Sequence, residues 1–97
     1  MMVKRENNLD WAVALGLQAL AHIVSEPGLY EEFFELTGFS PAELRPPRIE
    51  QRDFLSSVLD FILLTDTRLL DFCAVAGINS SEPLRARRLL AGDSGQF

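Results

Sequence analysis

The apolar residues of the chain recur three or four positions apart, and no segment alternates between apolar and polar residues as a half-buried strand does. This pattern predicts an all-α fold. In the first helix, predicted over residues 9–24, the expected buried face consists of Leu9, Val13, Leu17, Leu20 and Val24. In the second helix, which Pro27 opens as a first-turn residue, the expected core stripe is Leu29, Phe33 and Leu36.

Glycine, proline and capping residues divide the rest of the chain into shorter helices. Ser40-Pro41-Ala42-Glu43 has the sequence of a capping box, and Pro46-Pro47 should end that helix after about one turn. Residues 48–52 are expected to form a linker. Three further helices are predicted over residues 53–64, 66–76 and 82–92, with the apolar core residues Phe54, Leu55, Val58, Leu59, Ile62, Leu69, Phe72, Cys73 and Ala76.

A chain of 97 residues has room for one core, so we predict a single bundle of five or six helices with the first helix at its centre. The helical domain is expected to span residues 9–92, between a flexible N-terminal arm over residues 1–8 and a loose C-terminal tail over residues 93–97. Gly16, in the interior of the first helix, is expected to let another helix approach closely.

Two parts of the sequence resemble each other at an offset of thirty-nine residues. Residues 33–39 align with residues 72–78, which places Gly38 on Gly77. Upstream, the same offset pairs Leu20 with Leu59 and Ile23 with Ile62. The pattern is consistent either with two pseudo-symmetric three-helix units packed against each other or with chance similarity between amphipathic helices.

Charge and composition limit the classes of partner. The net charge is −5 and neither half of the chain is basic, so nucleic acid and anionic membrane surfaces are unfavourable partners. The single cysteine excludes an intramolecular disulfide and a cysteine-based zinc site. The longest uncharged run, residues 11–25, is too short to span a bilayer, and we interpret it as a folded helix rather than a signal peptide. A cytoplasmic location is therefore expected.

Few residues offer chemistry for a reaction or a cofactor. His22 and Cys73 are the candidates for a nucleophilic pair, but Cys73 belongs to an apolar helix face, where free cysteine acts as a small hydrophobic residue. Glu31, Glu32 and Glu35 are the candidates for a cation site, but neighbouring acids on a helix are typical of a solvated face. No glycine-rich phosphate loop occurs. We expect no catalytic residue, metal or cofactor, and a non-enzymatic protein-interaction module rather than a small enzyme.

The alternative function is nucleic-acid binding by a helix-turn-helix-like element. Residues 36–44 contain a turn glycine, a following hydrophobic residue and a capped second helix, as such an element requires. Against this alternative, Pro46-Pro47 breaks the second helix, which carries only Arg45. In the second copy of the pattern, the residues that could meet phosphates are Arg85, Arg87 and Arg88.

Four residues of the first helix, Trp11, Leu15, Gln18 and His22, form a stripe opposite its predicted core face. Such a helix either lies at the centre of the bundle, with Gln18 and His22 hydrogen-bonded internally, or presents the stripe to an unknown partner protein or a second copy. The second interpretation predicts a homodimer or weaker self-association, because the last helix, with its three arginines, suits the rim of the bundle better than its core.

Several apolar and turn motifs together are distinctive. They are the run over residues 36–45, Phe54-Leu55-x-x-Val58-Leu59-Asp60-Phe61, Asp66-x-x-Leu69-Leu70-x-Phe72, Ala76-Gly77-Ile78 and, upstream, Leu17-Gln18-Ala19-Leu20. Over about residues 9–92 the chain resembles a small alphaproteobacterial family catalogued only as a domain of unknown function, number three-five-seven-two. It departs from that family at Pro46-Pro47-Arg48, where a more alanine-rich join is expected. The resemblance implies a compact helical bacterial protein and brings no catalytic residues with it.

Overall fold

The computed structural model of the protein describes residues 7–92, and it is all-α, as predicted, with no strand in that part of the chain. Its elements are α1 (Asn7–Val24), α2 (Pro27–Thr37), two 3₁₀ turns (Pro41–Glu43 and Arg48–Glu50), α3 (Arg52–Leu63), α4 (Asp66–Ala76) and α5 (Glu82–Ala91). The expected flexible arm is helical from Asn7 onward. The remainder of that arm, residues 1–6, and the expected tail over residues 93–97 lie outside the described residues.

The predicted linker over residues 48–52 has regular structure, because the second 3₁₀ turn occupies its first three residues and α3 begins at its last. Arg48 explains why the segment is structured. Its guanidinium binds the carboxylates of Glu43 and Asp53 at 3.3 and 3.1 Å. The same group lies over the rings of Phe39 and Phe54, which ties the turn to the core through both charge and stacking.

The buried face of α1 lies between its predicted core face and the predicted stripe of Trp11, Leu15, Gln18 and His22. Leu9 and Val24, expected in the core, are exposed. Leu20 is buried as predicted, and the other buried residues of α1 are Ala12, Leu15, Gly16, Ala19 and Ile23. Because alanine and glycine let neighbouring helices approach closely, they form the packing surface in place of larger side chains. Leu36, also expected in the core, is exposed because α2 has its one buried residue, Phe33, a turn earlier.

The offset of thirty-nine residues relates the helices as well as the sequence. Helices α2 and α4 are both eleven residues long with bounds that differ by thirty-nine, and each ends at a glycine with positive φ, Gly38 and Gly77. Helices α1 and α3 end at equivalent residues. Five buried residues of α1 recur in α3, as the pairs Leu15 with Phe54, Gly16 with Leu55, Ala19 with Val58, Leu20 with Leu59 and Ile23 with Ile62.

Contacts between the two units are reciprocal. The ring of Phe33 in α2 lies 5.4 Å from that of Phe61 in α3. The equivalent residues, Phe72 in α4 and His22 in α1, have ring centroids 5.5 Å apart. A two-fold axis between equivalent units produces reciprocal contacts of this kind, in which residue i contacts residue j and j contacts i. The described chain is therefore two units, α1–α2 and α3–α4, about a pseudo-two-fold axis, with α5 added.

Helix α5 breaks this symmetry, because the first unit has two 3₁₀ turns in the corresponding place. It packs across both α1 and α3 through the buried residues Pro83, Ala86 and Leu90. The expectation that the last helix belongs at the rim was therefore wrong. The apolar residues Pro83, Ala86 and Leu90 face inward, and the arginines of α5 lie on its remaining faces.

No single helix among residues 7–92 has both the length and the apolar character needed to cross a membrane. Helices α1 and α2 meet that criterion only when taken together, and they are bent by 114° at the short break between them.

Candidate functional site

The stripe predicted on the first helix is not one continuous surface. Leu15 is a core residue, only 4% exposed. Trp11 is half-buried beneath the guanidinium of Arg85, which lies 4.5 Å from the centroid of the indole ring. Gln18 is exposed and His22 is partly buried. Helix α5 thus covers the N-terminal half of the stripe, and only Gln18 and His22 lie where a partner has access.

His22 and Cys73 do not form a nucleophilic pair. The Nε2 atom of His22 is buried and has no hydrogen-bond partner within residues 7–92, and its ring packs against Phe72. The Cys73 thiol faces the main-chain oxygen of Asn79 at 3.7 Å. Burial raises the pKa of the Cys73 thiol, and the charge of Glu82 adds to the rise, so the reactive thiolate is disfavoured.

The carboxylates of α2 do not converge on a cation site. Glu32 binds Arg68 at 2.9 Å, while Glu31 and Glu35 are exposed to solvent. Within residues 7–92, no group of three or more histidine, cysteine, aspartate or glutamate side chains is placed to hold a metal ion.

The helix-turn-helix-like element is short in the structure. The segment that follows Gly38 is a single 3₁₀ turn of three residues, in which Glu43 accepts a hydrogen bond from the backbone N–H of Ser40. Of the arginines in the second copy, Arg85 stacks on the indole described above, and Arg87 binds Asp60 in α3. Two of the three candidate phosphate contacts are thus engaged within the chain.

A cleft of about 510 Å³ lies between the C-terminal turns of α2 and α3. We call it the Leu36 cleft. Leu36 and Leu64 are 57% and 61% exposed, although they line it with apolar side chains. Phe39, the buried Phe61 and Leu63 complete the apolar lining. Exposed leucines on both sides of a concave apolar surface are typical of a contact site for another molecule.

The polar groups that line the Leu36 cleft already have partners within the chain. The Thr37 hydroxyl donates to the main-chain oxygen one turn earlier at 2.7 Å and accepts from the N–H two residues later at 3.2 Å. The Ser57 hydroxyl donates to a main-chain oxygen of α3 at 3.2 Å. Both oxygens of Asp60 accept hydrogen bonds from Arg87, at 2.8 and 3.3 Å. The hydroxyl hydrogens that line the cleft are therefore already donated within the chain, and most of the remaining lining is apolar.

The pseudo-two-fold axis places a second cleft, of about 460 Å³, between α1 and α4. We call it the Val75 cleft, after a residue that is 74% exposed. Six lining residues of the two clefts correspond at the offset of thirty-nine: Leu36 with Val75, Thr37 with Ala76, Ser57 with Gln18, Asp60 with Ala21, Phe61 with His22, and Leu64 with Ser25. The accessible part of the predicted stripe, Gln18 and His22, thus belongs to the Val75 cleft.

The two clefts differ in charge and in apolar content. Glu35 immediately precedes Leu36, and Asp66 follows Leu64 by two residues; both carboxylates are exposed. Their equivalents beside the Val75 cleft are Ala74 and Pro27. Of these two clefts, the Leu36 cleft is the one lined by two exposed leucines.

Sequence reasoning did not find the Leu36 cleft. The periodicity of α2 assigns Leu36 to the core, and Leu64 is the apolar end of a predicted helix. The available signal was the glycine that follows each short helix. Since Gly38 ends α2 two residues after Leu36, that side chain lies on the last turn, where neighbouring helices need not cover it.

The model of a family described as Protein of unknown function (DUF3572) matches residues 10–93 of the chain. No curated protein and no solved structure matches the chain.

Proposed function

The chain belongs to the DUF3572 family, whose description assigns no activity, and from the geometry we propose that it is a non-enzymatic protein-interaction module. In this proposal the Leu36 cleft holds an apolar segment of a partner protein. The carrying observation is the contrast within the cleft, where the leucines are exposed and the polar side chains are already hydrogen-bonded internally.

Three observations weigh against an enzyme. Catalysis requires polar groups that converge on a reacting atom. The described histidine and cysteine are not paired, and the pKa of Cys73 is shifted away from reactivity. Asp60, the carboxylate that lines the Leu36 cleft, accepts hydrogen bonds from Nε and Nη2 of Arg87. An apolar contact site explains the cleft without any further group.

A partner other than a second copy is favoured by the position of α5. The argument for self-association was that one side of α1 lacks a cover, and α5 supplies that cover. The exposed large apolar side chains among the described residues are Leu9, Val24, Leu36, Leu64, Leu70, Val75 and Leu84.

The test is a comparison of two aspartate substitutions at equivalent positions. The affinity-tagged protein is expressed in its native host as wild type, Leu36→Asp and Val75→Asp, and co-purified proteins are quantified by mass spectrometry. Both changed residues are more than half exposed, so both variants are expected to fold, which far-UV circular dichroism checks. We expect a partner that is retained by wild type and Val75→Asp and lost by Leu36→Asp.

The design separates the two clefts. If Val75→Asp alone loses the partner, the contact lies at the Val75 cleft. That cleft contains Gln18 and His22, the part of the predicted stripe that remains accessible. A partner set that neither substitution changes would contradict the proposal, as would the absence of any protein above a tag-only control.

A further inference from the structure

We propose that a groove on α1, apart from the Leu36 cleft, binds a small uncharged ligand that has an aliphatic chain and one hydrogen-bonding group. The groove has a volume of about 540 Å³, and its lining includes Leu17, Leu20, Val24, Tyr30, Leu44 and Ile49. We call it the Tyr30 groove. It shares no lining residue with the Leu36 cleft, so binding at one site can be tested without disturbing the other.

The equivalence of the two units continues into their third segments. Ser40 and Asn79, related by the offset of thirty-nine, each donate a backbone N–H to the carboxylate three residues later, of Glu43 and Glu82, at 3.2 Å in both units. The N–H groups of Glu43 and Glu82 donate in return to the main-chain oxygens of Ser40 and Asn79, at 2.9 and 3.0 Å. The third segments therefore begin with the same hydrogen-bonded turn.

After this shared turn the two segments diverge. The next residue is the buried Pro83 in α5 and Leu44 in the first unit, where it lines the Tyr30 groove. The first segment then reaches Pro46-Pro47, whereas α5 continues to Ala91. Since proline inside a helix removes a hydrogen bond and clashes with the preceding turn, the first unit lacks the later turns of such a helix.

The face of α1 that lines the groove is equivalent to a face of α3 that α5 covers. On α3, Asp60 binds Arg87, and Arg52 donates from Nε to the main-chain oxygen of Leu90. The residue equivalent to Asp60 is Ala21, which lines the groove. The Tyr30 groove is thus the counterpart, in the first unit, of space that α5 fills in the second.

The occupant should be a small molecule because the groove is too short for a helix. Ile49, in the second 3₁₀ turn, lines the groove, so the chain itself takes part of the space that a third helix would need. One helical turn, 5.4 Å long and about 10 Å across, has a volume of about 420 Å³, so about 540 Å³ admits little more than one turn. The same volume lies within the range of small-molecule sites, about 300–1,000 Å³.

The ligand should be uncharged because no charged side chain is among the described residues that line the groove. A charge moved there from water would lose its hydration without gaining an opposite charge. An anion is disfavoured further, since residues 7–44 contain six carboxylates and no lysine or arginine.

An aliphatic chain fits the shape of the lining. Leu17 and Val24 are seven residues apart on α1, which is about 10 Å along the helix axis. The apolar lining is therefore elongated along α1. Val24 is 41% exposed, so a chain that lies against it removes apolar surface from water.

Tyr30 supplies the polar side-chain group of the lining. Its hydroxyl makes no hydrogen bond within residues 7–92, and its ring is held edge-on against Phe34 with the centroids 4.8 Å apart. A phenol hydroxyl can both donate and accept a hydrogen bond. It can therefore bind an alcohol, ester or amide group at one end of the chain.

The experiment is an NMR titration of the full chain with 1-octanol, with octanoate and octylamine as charged probes of the same chain length. Tyr30 is the only tyrosine, so its ring gives one assignable set of signals, and the backbone amides of α1 report the rest of the groove. Val24→Asp places a charge in the groove. Val75→Asp is the matched control, since both valines are exposed and lie at the C-terminal ends of their helices.

We expect saturable binding of 1-octanol, with shifts confined to Tyr30 and the adjoining part of α1. Each charged probe should bind about tenfold more weakly or worse, because its head group must be desolvated. Val24→Asp should weaken octanol binding by about tenfold for the same reason, and Val75→Asp should leave it unchanged. Tyr30→Phe should weaken it by a few fold, because one hydrogen bond is lost.

Other outcomes overturn the inference in distinguishable ways. If octanoate or octylamine binds as tightly as octanol, the site does not select an uncharged ligand. Octanol binding that Val24→Asp does not weaken lies outside the groove. Shifts that do not saturate, or that extend equally to the Leu36 cleft, indicate non-specific partition onto apolar surface. If octanol does not bind and Val24→Asp instead removes the native-host partner that Leu36→Asp retains, the groove is a protein contact site.

Discussion

Gly16 of α1 and Leu55 of α3 are equivalent residues of the two units, and they contact each other. A Cβ atom built on Gly16 would lie 3.1 Å from both Cβ and Cδ2 of Leu55. In a structure with two-fold symmetry, only residues at the axis touch their own equivalents. Helices α1 and α3 therefore cross on the pseudo-two-fold axis, and the expectation that Gly16 permits a close helix approach is confirmed.

Replacing Gly16 by alanine should destabilise the protein in spite of the better helix propensity of alanine. The propensity gain is about 1 kcal/mol, whereas overpacking a core costs about 1–3 kcal/mol. Leu55 is fully buried, so its side chain has little room to move aside. We expect a net loss of about 1 kcal/mol in the free energy of unfolding, measured by urea denaturation.

Gly28 provides the matched control, because a Cβ atom added there meets nothing within 4 Å. Gly28→Ala in α2 should stabilise the protein by about 0.4–1 kcal/mol through the unfolded state. Equal stabilisation by both substitutions would show that the helices do not cross tightly at Gly16.

Replacing His22 by phenylalanine should stabilise the protein. His22 occupies the position equivalent to Phe61, and its buried Nε2 atom has no hydrogen-bond partner among the described residues. Such an unpaired group costs about 1–3 kcal/mol, and we expect a gain at the low end, about 1 kcal/mol, because the ring is partly exposed. Thermal unfolding of the variant and of wild type measures the difference.

The reverse exchange, Phe61→His, tests the same relationship from the other unit. Phe61 is 2% exposed, so an imidazole there buries a polar nitrogen in an apolar site, at a cost of about 2 kcal/mol or more. Opposite signs for the two substitutions support the equivalence of the positions, and destabilisation by His22→Phe would contradict it.

The Cys73 thiol should react slowly in the folded protein. Burial raises its pKa, so the pH at which alkylation reaches half its maximal rate should be higher in the native protein than in urea. Because the folded-state pKa is the higher one, the free energy of unfolding is unaffected below the unfolded thiol pKa and falls as the pH rises above it. Cys73 is the only cysteine, so mass spectrometry after iodoacetamide treatment reports it directly. Native alkylation as fast as in urea would contradict its burial.

Asp53→Asn should lower the melting temperature at neutral pH and have no effect in strong acid. Hydrogen bonding to Arg48 holds the pKa of Asp53 below its ordinary value. The ion pair therefore stabilises the fold above the unfolded-state pKa of about 3.9, and this contribution disappears as the pH falls through the folded-state pKa. Asp71→Asn is the control, since Asp71 is exposed and makes no ion pair with another described residue. A melting-temperature difference that persists in strong acid would assign the effect to something other than ionisation.

Local signals were enough to predict much of the fold. Apolar spacing located the long helices, and Gly38 and Gly77 marked the ends of α2 and α4 within a residue. The spacing of apolar residues could not show which face of α1 is buried, because that depends on which other helices pack against it. The helix that covers this side of α1 is α5. Its three arginines predict a surface helix when its sequence is considered by itself, although Pro83, Ala86 and Leu90 are buried.

The Leu36 cleft depends on contacts between residues that are distant in the sequence, and the spacing of apolar residues does not reveal such contacts. Asp60 and Arg87 are separated by twenty-seven residues, and their ion pair neutralises the one carboxylate that lines the Leu36 cleft. The exposure of Leu36 follows from how far α2 extends beyond the core, which is a property of the packed structure. The correspondence between the two clefts becomes visible only when the offset in sequence is combined with the reciprocal contacts.

Helix α5 contacts α1 and α3 alike, so a single helix covers both units. Its buried residues, Pro83, Ala86 and Leu90, therefore complete a core to which the two units contribute together. The first unit has two short 3₁₀ turns in the corresponding place, so it has no helix of its own for this purpose. Loss of α5 would expose apolar surface on both units at once, and the stability of each unit therefore depends on the same ten residues.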